Sequence, residues 1–263
     1  MSTTVIVGWA SEDRLADAVF TADTAPIASY SLSTFGYRNP AERIRWDVTD
    51  LALTATVGAA VRGDVLVIPA CNLDEGDELT TVLRLTNGAG LDVPVPVPAR
   101  RVNGQARTIV LDLTELASAG TRTSTVWTLE VVGNSVDIIF GGFIGLFAKR
   151  TIAAMQWGIT AGKTQHASQV VNDHGGRYRV NLRTTTRTLA YALAVEATEL
   201  PEAEDWHDAN EGLVEPGLLW VQRDELDAIV GTLDEAFLAR QRDGMDVYDI
   251  TGTFTELSKG KPV

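Results

Sequence analysis

Three histidines, His166, His174 and His207, are the side chains best suited to move a proton near neutral pH or to bind a metal. His166 and His174 stand eight residues apart in a polar segment with Asp173 between them. A metal or catalytic pair needs a third convergent group, and no metal-ligand spacing joins these residues. They read as solvated loop histidines. Ser168 beside either histidine would make a hydrolase pair, but the chain has no Gly-x-Ser-x-Gly elbow and offers no third member. The densest acidic run, Asp74, Glu75, Asp77 and Glu78, has carboxylates for calcium without the regular spacing of a calcium loop, so it reads as a solvated turn. Gly141, Gly142 and Gly145 follow a strand but lead into Phe143 and Ile144, which is not the start of a helix around a phosphate. Cys71, the single cysteine, excludes an intrachain disulfide and lies in an apolar run, where a buried inert thiol is expected. No catalytic, cofactor or metal residue is assigned, and the expectation is a protein that is not an enzyme.

Binding chemistry has better candidates. Arg177, Arg179, Arg183 and Arg187 share one parity, so a continuous strand would show all four on one face. Like charges in a row repel unless carboxylates lie opposite. Those carboxylates belong either to this chain or to a neighbouring copy, and the second case makes the row a subunit interface. Aromatic rings can stack on the apolar face of a sugar. Trp9, Tyr30, Phe35 and Tyr37 are the candidates in the turn-rich early part of the chain, Phe35 and Tyr37 foremost, with core packing as the commoner use of each.

The elements that must position these residues are mostly strands. Residues 1–30 are weakly patterned. Ile44, Trp46 and Val48 alternate with charged neighbours, and Val65 to Ile68 is a short apolar strand entered through the turn Arg62-Gly63-Asp64. Leu79 to Leu85 alternates again and stops at Asn87-Gly88. Pro94, Pro96 and Pro98 remove ladder donors, which places 93–98 at a sheet edge or in a connector. Thr108 to Leu113, Val126 to Val132 and 137–147 complete some seven short strands at roughly ten-residue spacing, the signature of a β-sandwich or jelly roll. After Arg150 the pattern changes. Residues 151–175 read as a polar loop or extended arm, and strands follow at 177–183 and 188–196. An acidic linker at 202–215 holds Trp206 and His207, and a short strand runs from Leu218 to Val221. A helix is expected from Asp224, with Leu226, Ile229, Val230, Leu233, Phe237 and Leu238 on one stripe, before a closing strand at 247–254. The fold class is mostly β: a sandwich over residues 1–150, and a smaller α+β assembly unit with its arm over 151–263.

With 263 residues, 45% of them hydrophobic and 22% charged, the chain can build a sizeable core. A net charge of −13 repels phosphate backbones, so nucleic acid and anionic membrane surfaces are excluded as general partners. Arginine carries nearly all the positive charge, since lysine occurs only at 149, 163, 259 and 261. The opening residues lack a basic segment followed by a long apolar stretch, and no window of ~18 apolar residues occurs, so neither secretion by a signal peptide nor membrane insertion is expected.

From residue 30 onward the chain resembles a group of tailed-bacteriophage tail proteins, the distal tail, baseplate or minor tail components. The similarity runs through Tyr30 to Pro40, the phrase Val67-Ile68-Pro69-Ala70-Cys71-Asn72-Leu73, the strand Leu79 to Asn87, and Trp127 to Val131 leading to Phe140 to Gly145. It continues at Met155-Gln156-Trp157-Gly158, Ser168 and Gly175-Gly176-Arg177-Tyr178-Arg179. The resemblance implies a galactose-binding-like, discoidin-like sandwich and a later part that helps build a homo-oligomeric ring at the tail tip. It implies other tail proteins as partners, a place in the virion after assembly in the host cytoplasm, and no catalytic residues or cofactor. A carbohydrate-binding module for host surface glycans is the alternative.

Overall fold

The computed structural model describes residues 3–9, 12–37, 39–73, 81–96, 107–134, 137–154, 156–171, 177–209, 217–221, 229–233 and 238–256, and over 156–187 it describes the backbone alone. The acidic run 74–78, His174 and the first turns of the expected helix lie outside these residues.

One layer is a five-stranded antiparallel sheet. Its order is β2 (Val19–Ala22), β4 (Leu51–Arg62), β9 (Thr123–Val132), β6 (Val82–Asn87), β7 (Asp92–Pro94). Alternation decides which face is buried. Leu51, Leu53, Ala55 and Val57 of β4 point inward with Trp127, Leu129 and Val131 of β9. The outward face carries a row of threonines, Thr21, Thr54, Thr128 and Thr86, one from each of four paired strands. The proline-bearing β7 lies at the sheet edge, where a missing donor costs least.

The second layer holds β5 (Val65–Cys71), flanked by β8 (Arg107–Asp112) on one side. On its other side β11 (Gly145–Phe147) pairs with it, and β10 (Ile138–Gly142), which also pairs with β3 (Asn39–Trp46), packs beside it. Asn72 bridges the gap between β5 and β10. It donates from Nδ2 to the Asp137 carbonyl at 2.7 Å and accepts from the Ile139 N–H at 2.7 Å. Between the two layers lies the largest core, including Trp46, Cys71 and Phe140.

The remaining strands form one large antiparallel sheet. Its order is β12 (Arg150–Ala154), β1 (Thr3–Trp9), β15 (Gly217–Val221), β16 (Ile229–Leu233), β18 (Val247–Glu256), β14 (Arg177–Glu196), β13 (Gln156–Val171), and β17 (Leu238–Gln241) also pairs with β18. A short helix, α1 (Leu200–Asp208), covers one face of this sheet. There Trp206 stacks on Trp9 at 5.2 Å between ring centroids and on Phe254 at 6.0 Å, and the Trp9 indole N–H donates to the Trp206 carbonyl. Gly217 admits the Trp9 ring, because a Cβ at that position would overlap it. The other face packs on the sandwich through Ile6, Leu218 and Val230 against Val65, Val67, Phe143 and Phe147.

Four expectations are corrected. Residues 3–9, grouped by sequence with the sandwich, form β1 in the large sheet, between β12 and β15. In the stretch 151–175, read as a loop or extended arm, the described residues 151–154 and 156–171 are strand: the end of β12 and then β13, which pairs along its whole length with β14. The helix expected from Asp224 to its end at Gly244 is absent at 229–233, which is β16, and at 238–241, which is β17; Ile229, Val230 and Thr232 are β-branched and Gly231 is a poor helix former. The helix lies in the expected linker instead. Pro201 fits its first turn, and Ala203 and Trp206 are its buried side chains.

Candidate functional site

The chain passes twice between the sandwich and the large sheet, after β1 and before β12. These two crossings are tied together. The Asp13 carboxylate accepts from the N–H groups of Leu15 (2.9 Å) and Leu146 (2.7 Å), and the Arg14 N–H donates to the Leu146 carbonyl at 2.7 Å. The turn Arg62-Gly63-Asp64 between β4 and β5 meets them, because the Asp64 N–H donates to the Phe147 carbonyl at 2.8 Å. Here a cleft of about 450 Å³ opens, lined by Arg14, Ala60, Val61, Arg62, Asp64 and Ala148.

Its charge is set by one shared carboxylate. Asp64 Oδ1 accepts from Arg62 Nε at 3.0 Å and from Arg122 Nη1, while Oδ2 accepts from the Lys149 N–H at 3.3 Å. Arg122 is buried, with its Nε donating to the Ala117 carbonyl at 3.0 Å; burial and then the nearby charge of Arg62 lower its pKa. Arg62 leaves 54% of its side chain exposed, and Arg14 is exposed with no ion pair among the described residues. Beside the cleft, Lys149 Nζ donates to Asp112 Oδ2 at 2.5 Å. Burial opposes the charge on Asp112, but its bonds to Lys149 and to the Thr114 hydroxyl and N–H outweigh that and hold the carboxyl below its ordinary range. Two guanidinium groups, those of Arg62 and Arg122, therefore share one carboxylate, and Arg14 lines the same cleft in an otherwise acidic protein. Within the sandwich interior lies a void of about 20 Å³ walled by apolar side chains, room for about one water.

The residues picked from sequence fall elsewhere. Phe35 is 3% exposed and packs on Phe20 with centroids 4.6 Å apart, so it offers no ring to a sugar. Trp9 is likewise buried, Tyr30 lies at the surface, and the side chain of Tyr37 is outside the described residues. Arg177, Arg179, Arg183 and Arg187 all lie on β14, opposite Val171, Gln169, no paired residue, and Lys163 respectively. Arg183 falls at an irregularity in the pairing, where His166 faces Thr184 and Ala167 faces Asn181, so the register with β13 shifts within the row although β14 is one strand; the side chains are outside the described residues. His166 and Ser168 are on β13. His207 is in the last turn of α1, with Nδ1 3.7 Å from Asp208 Oδ1. Among the described residues no group of three His, Cys, Asp or Glu is placed to hold a metal, and no helix is long and apolar enough to cross a membrane. Sequence reasoning read 62–64 as a turn and missed Arg14, which lines the cleft, and Arg122, whose pairing with Asp64 spans 58 positions and leaves no local signal.

No protein-family model matches the sequence, and no curated protein matches it. Among solved structures, one described as an alpha-L-fucosidase of Bacteroides thetaiotaomicron matches 54% of this chain at 13% identity and a TM-score of 0.38; the chain spans 29% of that protein's length. The lectin domain of lectinolysin, complexed with Lewis B antigen, matches 51% of this chain and 96% of that domain at 11% identity and a TM-score of 0.34. Discoidin II of Dictyostelium discoideum matches 93% of this chain and 90% of that one at 10% identity and a TM-score of 0.32. The class that the coordinates themselves define is a mostly β protein: a two-layered β-sandwich packed on a third sheet.

Proposed function

We propose that the chain is a non-enzymatic structural subunit of a tailed bacteriophage's tail tip, joining copies of itself and other tail proteins in a ring within the virion. The observation that carries the reading is the β13–β14 ribbon. β14 pairs with β18 only over Thr188–Glu196, so residues 177–187 have β13 alone beside them among the described residues. At about 3.3 Å per residue this is a two-stranded arm of roughly 35 Å. A lone hairpin is marginal in water, and an exposed strand edge is a template for another chain. Both problems are solved when a neighbouring copy lies against the arm. The resemblance to tail components supplies the setting. The test compares the full chain with a variant in which 164–184 are replaced by a short glycine-containing turn. Light scattering is expected to give a closed oligomer for the first and a monomer with an unchanged melt for the second. A full chain that stays monomeric and is missing from purified virions overturns the reading.

A second reading, a carbohydrate-binding module for host surface glycans, is favoured by the arginine-lined cleft. Its volume of about 450 Å³ suits a small ligand. Saturable binding of the intact chain to a glycan array supports it; a flat response across host polysaccharides removes it.

A further inference from the structure

We infer that the cleft at the β4–β5 turn binds a carboxylated sugar, its carboxylate held between the guanidinium groups of Arg14 and Arg62. This rests on the carbohydrate-binding reading and adds to it a place and a ligand charge.

The cleft has positive charge to spare. Asp64 is already engaged by Arg122, by Arg62 Nε and by the Lys149 N–H, so it has little left to offer Arg14. Arg62 uses Nε on Asp64, which leaves its two terminal nitrogens as donors on a side chain that is 54% exposed and lines the cleft. Arg122, with its charge disfavoured by burial and by Arg62, adds to the local excess without reaching the solvent itself. Three positive groups and one negative one leave a surplus of two positive charges, in a chain whose net charge is −13. A surface paired only for solubility would place carboxylates there. Planar guanidinium groups match a carboxylate with two parallel donors each.

The walls say what the carboxylate is attached to. Ala60, Val61 and Ala148 are small and apolar, and give the C–H face of a pyranose ring a place to lie while the polar edge faces the arginines and Asp64. The backbone of the site is already ordered, because the Arg14 and Asp64 N–H groups and the Asp64 carboxylate are hydrogen-bonded to residues 146–149 of the returning segment. A site that is already ordered loses little entropy on binding.

The experiment is calorimetric titration of the intact chain with sodium glucuronate, glucose and inorganic phosphate at low salt. Glucuronate is expected to bind at one site per chain and glucose at least tenfold more weakly. Arg14→Ala, whose side chain makes no bond among the described residues, is expected to weaken glucuronate roughly tenfold or more with an unchanged melt. Arg62→Lys, which keeps the charge but loses the fork, should weaken it as well. Equal binding of glucose and glucuronate, or glucuronate binding unaltered in both variants, overturns the assignment. Phosphate binding as tight as glucuronate overturns its sugar part. Neutral glycans bound alike by the parent and both variants would leave the carbohydrate reading standing while this site falls. No binding to any glycan or to glucuronate removes both.

Discussion

Replacing Asp64 by Asn removes one charge from a buried cluster without changing its shape. The side chains of Asp64 and Arg122 are 10% and 6% exposed, so Arg122 would keep its charge in a place where water cannot solvate it. The Ala117 carbonyl, which accepts from its Nε, would still hold it in place but carries no full charge. Breaking a buried pair by removing one member costs about 3–5 kcal/mol, far more than the pair's net worth. For a chain of this size each kcal/mol lowers the melting temperature by roughly 2–4 °C, so a shift on the order of 10 °C is expected. Arg62 provides the internal control. It bonds to the same oxygen but is 54% exposed, and Arg62→Ala should cost at most about 1 kcal/mol. The double change Asp64→Leu with Arg122→Met removes both charges and should cost less than Asp64→Asn alone. Urea unfolding followed by the fluorescence of the six tryptophans measures all three. The reasoning fails if Asp64→Asn costs under about 1 kcal/mol, or if Arg62→Ala is as costly.

Trp206→Ala should destabilise the chain by about 3–5 kcal/mol, because a side chain 1% exposed and stacked on Trp9 and Phe254 leaves a cavity under α1; a urea midpoint shift below half that size counts against the stacking. The Asp112 carboxyl is held below its ordinary range, so its stabilising effect is complete above the unfolded aspartate value of about 3.9 and is lost as pH falls through the lower folded value. Lys149→Met should therefore flatten the acid limb of stability against pH below about pH 4, and an acid limb identical to that of the parent chain would refute the pairing.

The sandwich was legible because its strands announce their environment. Leu66 and Ile68 of β5 enter one core while Val65 and Val67 enter another, and burial on both faces is why the run is apolar throughout. In β4 and β9 one face meets water, so apolar residues alternate with threonine. Asn87 closed the β6–β7 turn as its type suggests, its carboxamide oxygen accepting from the N–H groups of Ala89 and Leu91. The second half was less legible, since helix and strand share the same apolar residues there. The stripe from Leu226 to Leu238 satisfies a 3.6-residue period, yet pairing of β16 with β15 and β18 decided the matter. In α1 the buried stripe is only Ala203 and Trp206, too short to stand out in an acidic stretch. The cleft could not be read at all, because the arginines that line it, Arg14 and Arg62, and the buried Arg122 behind Asp64 come from three distant segments that only the fold brings together.

The change of character at Arg150 has a different meaning from a hinge between two beads. The sandwich is an insertion between β1 and β12, two neighbouring strands of the large sheet, so the chain leaves that sheet and returns beside its point of departure. Arg150 sits at the return, within 3.1 Å of Glu12 and 3.3 Å of Glu202, and so joins the outgoing crossing, the incoming strand and α1. The apolar layer of Ile6, Val65, Val67, Phe143, Phe147, Leu218 and Val230 then fastens the sandwich to the sheet over a dry contact. Two tethers and a buried interface oppose swivelling far more than one flexible linker would. The cleft lies at this junction, and β13 of the arm begins at Gln156, two residues after β12 ends at Ala154. If the arm docks a neighbouring copy as proposed, the same two tethers fix the orientation of the cleft relative to that copy.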